Sequence, residues 1–324
     1  MCTSLTLPIA DLASAEKRLF GRTLDLDTHF GERVTLTRRG TPLLFGNLPA
    51  MESHHALLGT AAVEAGYPLY AEAMNDCGLC MAGLRFSGYA AYAERPMAGL
   101  LNLAPWELIP YLLGKYATVE EVRNALTEIC VVGRPFSEKL PAAPLHWHVA
   151  DADPAHGELV VECTAEGVRV FENPVGVLTN PPPFDEQLDR LATFASLSSA
   201  CDRTLGGGGV GLPGDYTSAS RFVRAATLRR WSVERMRERQ TAWGAKTDGG
   251  GAPLGEDASV ARFFGILAAV APPDGAVLTE EGQAHRTLYA CCMDGAAGAY
   301  HRITEGSTAV RTVLFSEGEA DTVL

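Results

Sequence analysis

Segments with the residue pattern of β-strands lie at both ends of this 324-residue chain. Near the amino end, residues 2–7 and 34–38 alternate polar and apolar side chains or are rich in β-branched residues, which is typical of strands. Near the carboxyl end the pattern returns, with short glycine-containing turns, at 287–294, 297–304 and 309–315. Because helical patterns lie between these two groups of strands, the chain is predicted to fold as layered α+β packing.

The middle of the chain contains both kinds of element. Further strands are predicted at 20–27, 78–86, 144–151 and 158–173, the last with a turn at Glu166 and Gly167. The clearest helix is 118–129, where Thr118 and Glu121 form a capping box and apolar residues recur on one face. Other helices are predicted at 105–115, 184–196, 219–241 and 257–270.

Composition and charge exclude several kinds of partner. A net charge of −12 argues against a nucleic-acid-binding or anionic-membrane surface, since both need clustered Lys and Arg. The longest apolar run, at 263–271, is too short to cross a bilayer. The first twenty residues do not have the pattern of a secretory signal. We therefore expect a cytoplasmic protein with no membrane or nucleic-acid partner.

The cysteine and glycine patterns do not make up a complete cofactor-binding motif. The chain has eight cysteines, and without a secretory leader they are expected to be free thiols. Cys77 and Cys80 form a CxxC pair that suggests zinc or redox chemistry, but no second ligand pair follows. The glycine-rich stretch 205–215 lacks the ending of a phosphate-binding loop. The run 249–251 reads as a flexible surface loop.

Cys2 is the most reactive residue type at the most accessible place in the chain. If Met1 is removed, Cys2 carries both a thiol and a free α-amino group, which together supply a nucleophile and a base. Near neutral pH a useful fraction of such an amine is unprotonated. Taken alone, residue 2 is better explained as an exposed residue of no function.

Residue 2 belongs to the first of four sequence motifs that are informative together. They are MCTSLTL, FGRTLDLD at 20–27, VLTNPPPFD at 177–185 and GLPGDYTSASRFVR at 211–224. In this order and spacing they resemble the choloylglycine hydrolase family, which contains bile salt hydrolases and penicillin V acylases. The resemblance implies one N-terminal nucleophile hydrolase domain over 1–324. It also implies a four-layer αββα fold, with two stacked antiparallel sheets between helical layers.

The resemblance also implies roles for residues around Cys2. Arg22 matches an arginine beside the nucleophile, which would favour a thiolate, and Asp25 matches an aspartate that would orient the α-amino group. Asn180 matches an asparagine that donates to the oxyanion, and Arg221 matches an arginine that completes the polar shell. Each of these residues also has an ordinary interpretation as a turn or surface residue.

Substrate recognition is expected to come from apolar walls. By resemblance to bile salt hydrolases, the residues that line the steroid pocket are Leu24, Phe30, Phe136 and Leu140. The sequence departs from the family at Arg85, where bile salt hydrolases usually have asparagine and penicillin acylases often have tyrosine. The backbone N–H of residue 85 can still face the oxyanion. We also predict that the Arg85 side chain holds an anionic substrate head or, alternatively, pairs with a nearby acid.

The most favoured function is therefore hydrolysis of glycine- or taurine-conjugated bile acids through a thioester on Cys2. Penicillin V or another N-acyl amide is the alternative substrate, and a noncatalytic small-molecule binding protein is the alternative of another class. Nucleophile, base and oxyanion donors are all present in the chain, so no metal or organic cofactor is expected. A homotetramer is expected by resemblance.

Overall fold

The computed structural model describes residues 1–9, 16–244, 256–316, 318 and 320–324. The glycine run 249–251, predicted as a surface loop, lies outside these residues. Within them the strands are β1 (Cys2–Ile9), β2 (Lys17–Leu26), β3 (Arg33–Thr37), β4 (Leu57–Glu64), β5 (Tyr67–Asn75), β6 (Cys80–Arg85), β7 (Leu101–Leu103), β8 (Ile129–Val131), β9 (Leu145–Ala150), β10 (Glu158–Thr164), β11 (Gly167–Glu172), β12 (Val177–Leu178), β13 (Arg286–Asp294), β14 (Ala299–Thr304), β15 (Arg311–Leu314) and β16 (Thr322–Val323).

A six-stranded antiparallel sheet carries the amino end of the chain. Its strand order is β12, β1, β2, β13, β14, β15. The first two strands pair along their whole length, from Cys2 opposite Leu24 to Ile9 opposite Lys17. The carboxyl-terminal strand β13 pairs with the other side of β2. Strands from the two ends of the chain therefore meet in one sheet.

The second sheet has eight strands in the order β11, β10, β9, β6, β5, β4, β3, β16. Its pairs are antiparallel except at one edge, where β16 runs parallel to β3. The expectation of two antiparallel sheets thus holds apart from this short edge pair. A separate parallel pair is formed by β7 and β8.

The helices in the described residues are α1 (Leu108–Lys115), α2 (Val119–Leu126), α3 (Phe184–Ala192), α4 (Ser218–Gly244) and α5 (Glu256–Ala268). The apolar faces of α1 and α2 pack on the eight-stranded sheet. The other three helices share a core with the six-stranded sheet. The result is four layers, with the sheets inside, as the resemblance to the choloylglycine hydrolase family implies. Among the described residues, no helix is both long enough and apolar enough to cross a membrane.

One predicted helix ends earlier than its apolar pattern indicates. The helix predicted at 118–129 ends at Leu126, and Ile129 begins β8 instead. After Leu126 the backbone tightens, because Thr127 and Glu128 donate to carbonyls three residues back. Ile129 is still buried, but it reaches the core from a strand. The predicted helix 184–196 likewise ends at residue 192.

Candidate active site

Cys2 begins β1 and is only 5% exposed. Its neighbour across the strand pair is Leu24, and cross-strand neighbours point to the same face of a sheet. Both belong to the core cluster that includes residues of the two sheets. The alternative interpretation of Cys2 as an exposed residue is therefore wrong, because β1 carries the residue into the space between the sheets.

Arg22 lies two residues before Leu24 on β2, so it shares the same face of the sheet. Its side chain is buried, and its Nη1 donates to the carbonyl oxygens of Gly83, at 2.6 Å, and Ala71, at 3.3 Å. Burial alone would lower the pKa of this guanidinium, but the nearby Cys2 thiol and other acidic groups raise it above its ordinary value. Arg22 is thus a permanent cation beside Cys2.

Asp25 is buried next to the chain terminus. Its carboxylate accepts hydrogen bonds from the hydroxyls of Thr23, at 3.2 Å, and Thr287, at 2.7 Å. The backbones of Asp25 and Met1 pair through the Asp25 N–H and the Met1 carbonyl, at 2.9 Å. Burial lowers the pKa of the Met1 α-amino group, while the neighbouring Cys2 and Asp25 oppose this effect. The terminus is thus held in an environment that favours a neutral amine.

Asn180 and Arg221 hold the backbone of Cys2. The Asn180 Oδ1 accepts from the Cys2 N–H at 2.6 Å and from Arg221 Nη2 at 2.9 Å. Arg221 Nη1 donates to the Cys2 carbonyl oxygen and to Thr3 Oγ1. The Asn180 Nδ2 donates to the Arg85 carbonyl oxygen at 2.9 Å. That amide nitrogen carries a second N–H, which the predicted oxyanion contact requires.

Arg85 ends β6, and its side chain is exposed, with Nε donating to Ser87 Oγ at 2.8 Å. Among the described residues, Arg85 has no ion pair with an acid. The described part of the structure therefore does not contain the alternative that the sequence left open, in which Arg85 pairs with a nearby acidic residue. Arg85 is exposed to solvent and is also among the residues that line the cavity described next.

A cavity of about 510 Å³ opens beside Cys2. Its walls are mainly apolar and include all four residues predicted to line it, namely Leu24, Phe30, Phe136 and Leu140. Arg22 and Arg85 lie among the lining residues as well. An apolar cavity with a few convergent polar groups is the usual form of a small-molecule site.

Trp106 is a wall residue that the sequence did not indicate. Its ring contacts Phe136 edge-on, with the ring centroids 5.0 Å apart, and contacts Tyr67 in the same way at 5.1 Å. Trp106 also lines the cavity. It follows Pro105 at the start of a short helical turn, and nothing in that local pattern distinguishes it from an ordinary core residue.

The CxxC pair is split between two environments. Cys80 is buried, and Cys77 is exposed with its Sγ 3.4 Å from His55 Nδ1. The same nitrogen lies 3.3 Å from Asp76 Oδ1, but Asp76 already pairs with Arg39. All eight cysteines are free thiols, as expected.

Comparison with known proteins agrees with this geometry. The sequence profile of the linear amide C-N hydrolases, choloylglycine hydrolase family, matches residues 2–244 and 251–322. The bile salt hydrolase/transferase of Lactiplantibacillus plantarum is 37% identical, over 99% of this chain and 94% of its own length.

Solved structures show the same fold. The C2A mutant of the conjugated bile acid hydrolase of Clostridium perfringens superposes with a TM-score of 0.83 and 30% identity, covering 98% of this chain and 93% of that one. Penicillin V acylase from Agrobacterium tumefaciens, at 21% identity, has a TM-score of 0.73, with 98% of this chain and 87% of that one covered.

The αββα architecture and the buried Cys2 beside an apolar cavity define a hydrolase of linear amide bonds with the N-terminal nucleophile fold. Within that class, the chain belongs to the choloylglycine hydrolase family. The predictions of fold, family and enzyme class are confirmed.

Proposed function

We propose that this protein is a bile salt hydrolase, which cleaves glycine or taurine from conjugated bile acids through a thioester on Cys2. The observation that carries the proposal is the apolar cavity of about 510 Å³ that contains Cys2 in its wall. Its size suits a rigid apolar body, since ligand cavities measure roughly 300–1,000 Å³. Relatives over nearly the full chain are named bile salt or conjugated bile acid hydrolases.

The mechanism needs Met1 to be removed, so that Cys2 carries the α-amino group. That amine takes the proton of the thiol, and Sγ attacks the carbonyl carbon of the scissile amide. The amine then returns the proton to the leaving nitrogen, and glycine or taurine departs. Water attacks the thioester with the same amine as base, which releases the bile acid and restores the thiol.

The surrounding residues would stabilise these steps without reacting. Arg22 favours the thiolate because it is a buried cation beside it. Arg221 and the Asn180 carbonyl fix the Cys2 backbone. The second N–H of Asn180 and the backbone N–H of Arg85 are the proposed oxyanion donors. Asp25 would orient the α-amino group.

The experiment compares four substrates with the purified protein: glycocholate, taurocholate, penicillin V and a bile acid amide with a neutral amine head. Release of glycine and taurine that exceeds penicillin V hydrolysis supports the proposal. Faster hydrolysis of penicillin V would assign the acylase activity instead. Binding of bile acids without turnover by a protein whose Met1 has been removed would favour a noncatalytic binding protein.

A second activity follows from the same intermediate. An amine that reaches the thioester before water would accept the bile acyl group. The relative from Lactiplantibacillus plantarum is named a hydrolase/transferase, which supports testing transfer by adding free amino acids to the assay. Three expectations stay predictions: the single domain over 1–324, the homotetramer and the cytoplasmic location. A measurement of the native mass in solution tests the homotetramer.

A further inference from the structure

Glu72 is a fully buried carboxylate directly behind Arg22. It lies on β5 in the eight-stranded sheet, whereas Arg22 lies on β2 in the other sheet. The Glu72 Oε2 is 3.8 Å from Arg22 Nη1. Both side chains are at most 1% exposed, so the pair bridges the two sheets out of contact with solvent. Buried ions of this kind need partners in fixed geometry.

Two tyrosine hydroxyls fix the orientation of this carboxylate. Tyr289 donates to Oε2 at 2.7 Å, and Tyr300 donates to Oε1 at 2.8 Å. The Tyr300 hydroxyl is itself bonded to Thr60 Oγ1. Glu72, Tyr289 and Tyr300 do not line the cavity that contains Cys2. The carboxylate therefore does not line the substrate cavity, and its link to Cys2 runs through Arg22.

Arg22 interacts with two acidic groups, Glu72 and the Cys2 thiol. Its Nε and Nη1 are held by neutral carbonyl oxygens, those of Thr23, Ala71 and Gly83. Among the described residues, Glu72 is the carboxylate within ion-pair distance of this guanidinium. Cys2 lines the same cavity as Arg22 and interacts with the same charge. One cation is therefore shared by a carboxylate and a thiol.

The other groups around the pair set which of them carry charge. They are Tyr289 and Cys291 on β13 and Tyr300 on β14, with the α-amino group, Asp25 and Arg221 on the side of Cys2. Burial raises the pKa values of both tyrosines and of Cys291 well above their ordinary values. These three stay neutral near pH 7. Burial raises the pKa of Glu72 as well, while Arg22 and the hydroxyls of Tyr289 and Tyr300 oppose that effect. The charge behind Cys2 is therefore set by Arg22 together with the ionisation of Glu72.

We infer that Glu72 is a positioning residue that holds Arg22 between the sheets and limits how much of its positive charge reaches the Cys2 thiolate. This inference rests on the proposed role of Cys2 as nucleophile. It goes further by assigning the ionisation of that thiol to a carboxylate outside the cavity. Removing the carboxylate leaves the whole cation to the thiolate and also removes a direct repulsion between two anions. Both effects act in the same direction.

The test is the pH dependence of Cys2 alkylation by iodoacetamide, followed by mass spectrometry of the peptide that contains Cys2. The midpoint is the pH at which Cys2 is alkylated at half of the maximal rate. In Glu72→Gln this midpoint is expected to lie about one pH unit below that of the parent protein. Well below the midpoint the rate rises only about threefold, because a less basic thiolate is a weaker nucleophile. The exposed thiols of Cys77 and Cys201 are internal references whose midpoints stay unchanged.

The matched control is Glu158→Gln, which removes another buried carboxylate from the space between the sheets. Glu158 contacts Thr6, His148, Arg18 and Arg229 rather than Arg22 or Cys2. The Glu158→Gln variant is expected to be less stable than the parent. The pH midpoint of Cys2 alkylation should stay unchanged in this variant. An unchanged or higher midpoint in Glu72→Gln, or an equal shift in Glu158→Gln, would overturn the inference.

A milder variant covers the case in which Glu72→Gln does not fold. Tyr300→Phe removes one donor to the carboxylate, which favours its protonated form and weakens its hold on Arg22. The midpoint for Cys2 is expected to shift in the same direction by a smaller amount, and no shift or a rise would contradict the inference. Because alkylation needs no substrate, a failed bile salt assay would count against the proposed function alone.

Discussion

At the scale of single residues, Cys2→Ser separates chemistry from packing. A hydroxyl is far less ionised than a thiol, so we expect kcat to fall by at least about a hundredfold. The change removes almost no volume, so the free energy of unfolding should stay within about 1 kcal/mol of the parent. Steady-state kinetics on glycocholate and urea unfolding measure the two quantities.

The control for that substitution is Cys201→Ser, which changes an exposed thiol outside the cavity. It is expected to leave both rate and stability unchanged. A serine variant at position 2 with a rate near that of the parent would exclude the thiolate mechanism, even if the fold and family are as described.

Arg85→Asn tests substrate recognition by one exposed charge. Arg85 is a lining residue of the cavity, and its guanidinium has no acid partner among the described residues. We expect KM for glycocholate and taurocholate to rise about tenfold, because about 1.4 kcal/mol of attraction to the anionic head is lost. Amides with a neutral amine head should change much less. Arg85→Lys keeps the charge and should recover part of the loss, whereas equal losses on both substrate types would remove Arg85 from recognition.

The sequence located the residues around Cys2 but not Glu72. Arg22, Asn180 and Arg221 lie in motifs whose order along the chain is informative. Glu72 lies in the strand YPLYAEAMN, where a single glutamate has the appearance of a solvent-facing residue. Its role depends on Arg22 and Tyr300, which come from other strands far along the chain. Such a contact exists only after both sheets have formed.

At the scale of elements, the sequence indicated the strands with clear alternation and missed the hairpin of β4 and β5. Each strand contains two alanines, and β4 also contains a glycine, which weakens the alternation. The turn between them places both Ala65 and Gly66 at positive φ, and of the two only glycine favours that conformation, so the local turn signal is weak. β4 is buried along most of its length, so its pattern is nearly continuous rather than alternating.

Gly21→Ala is expected to disrupt the contact between β2 and β13. A Cβ at residue 21 would lie 2.0 Å from the Cys291 carbonyl oxygen and 2.9 Å from the Cys292 Cα. These are backbone atoms, so the strands themselves must separate. We expect a loss of at least about 3 kcal/mol in the free energy of unfolding, with activity lost because Arg22 is the next residue.

Gly265→Ala is the matched control for this substitution. Residue 265 lies in α5 on an exposed face, and an added Cβ would meet no atom within 4 Å. Alanine is expected to increase stability there by about 0.5–1 kcal/mol. Urea unfolding of the two variants gives opposite signs, and a tolerated Gly21→Ala would show that the two strands are less closely packed than described.

At the scale of the whole molecule, the sheets are joined by polar groups as well as by apolar packing. Glu158 on β10 accepts from Thr6 on β1 at 2.9 Å, and its Oε1 lies 3.4 Å from both Arg18 Nε on β2 and Arg229 Nη2 on α4. A hydrogen bond of 3.1 Å to His148 on β9 completes this cluster. The cluster therefore links both sheets to a helix of the outer layer.

The ionisation of this cluster makes stability depend on pH. Burial alone would raise the pKa of Glu158, but the hydrogen bond to His148 and the cations Arg229 and Arg18 outweigh it and lower the pKa to about 2. Burial lowers the pKa of His148 in the folded protein. In both cases the unfolded chain binds the proton at higher pH than the folded chain, so stability is lost as pH falls.

Glu158→Gln is expected to lower the free energy of unfolding by about 3–5 kcal/mol at pH 7, because Arg18 and Arg229 lose a buried counter-charge. The difference from the parent should persist down to about pH 4.5 and shrink as pH falls towards 2, since the parent carboxylate then loses its advantage over the unfolded state. Urea unfolding at pH 7, 5, 4 and 3 measures this. A difference that does not change with pH would mean that Glu158 stabilises the protein by shape and hydrogen bonding rather than by charge.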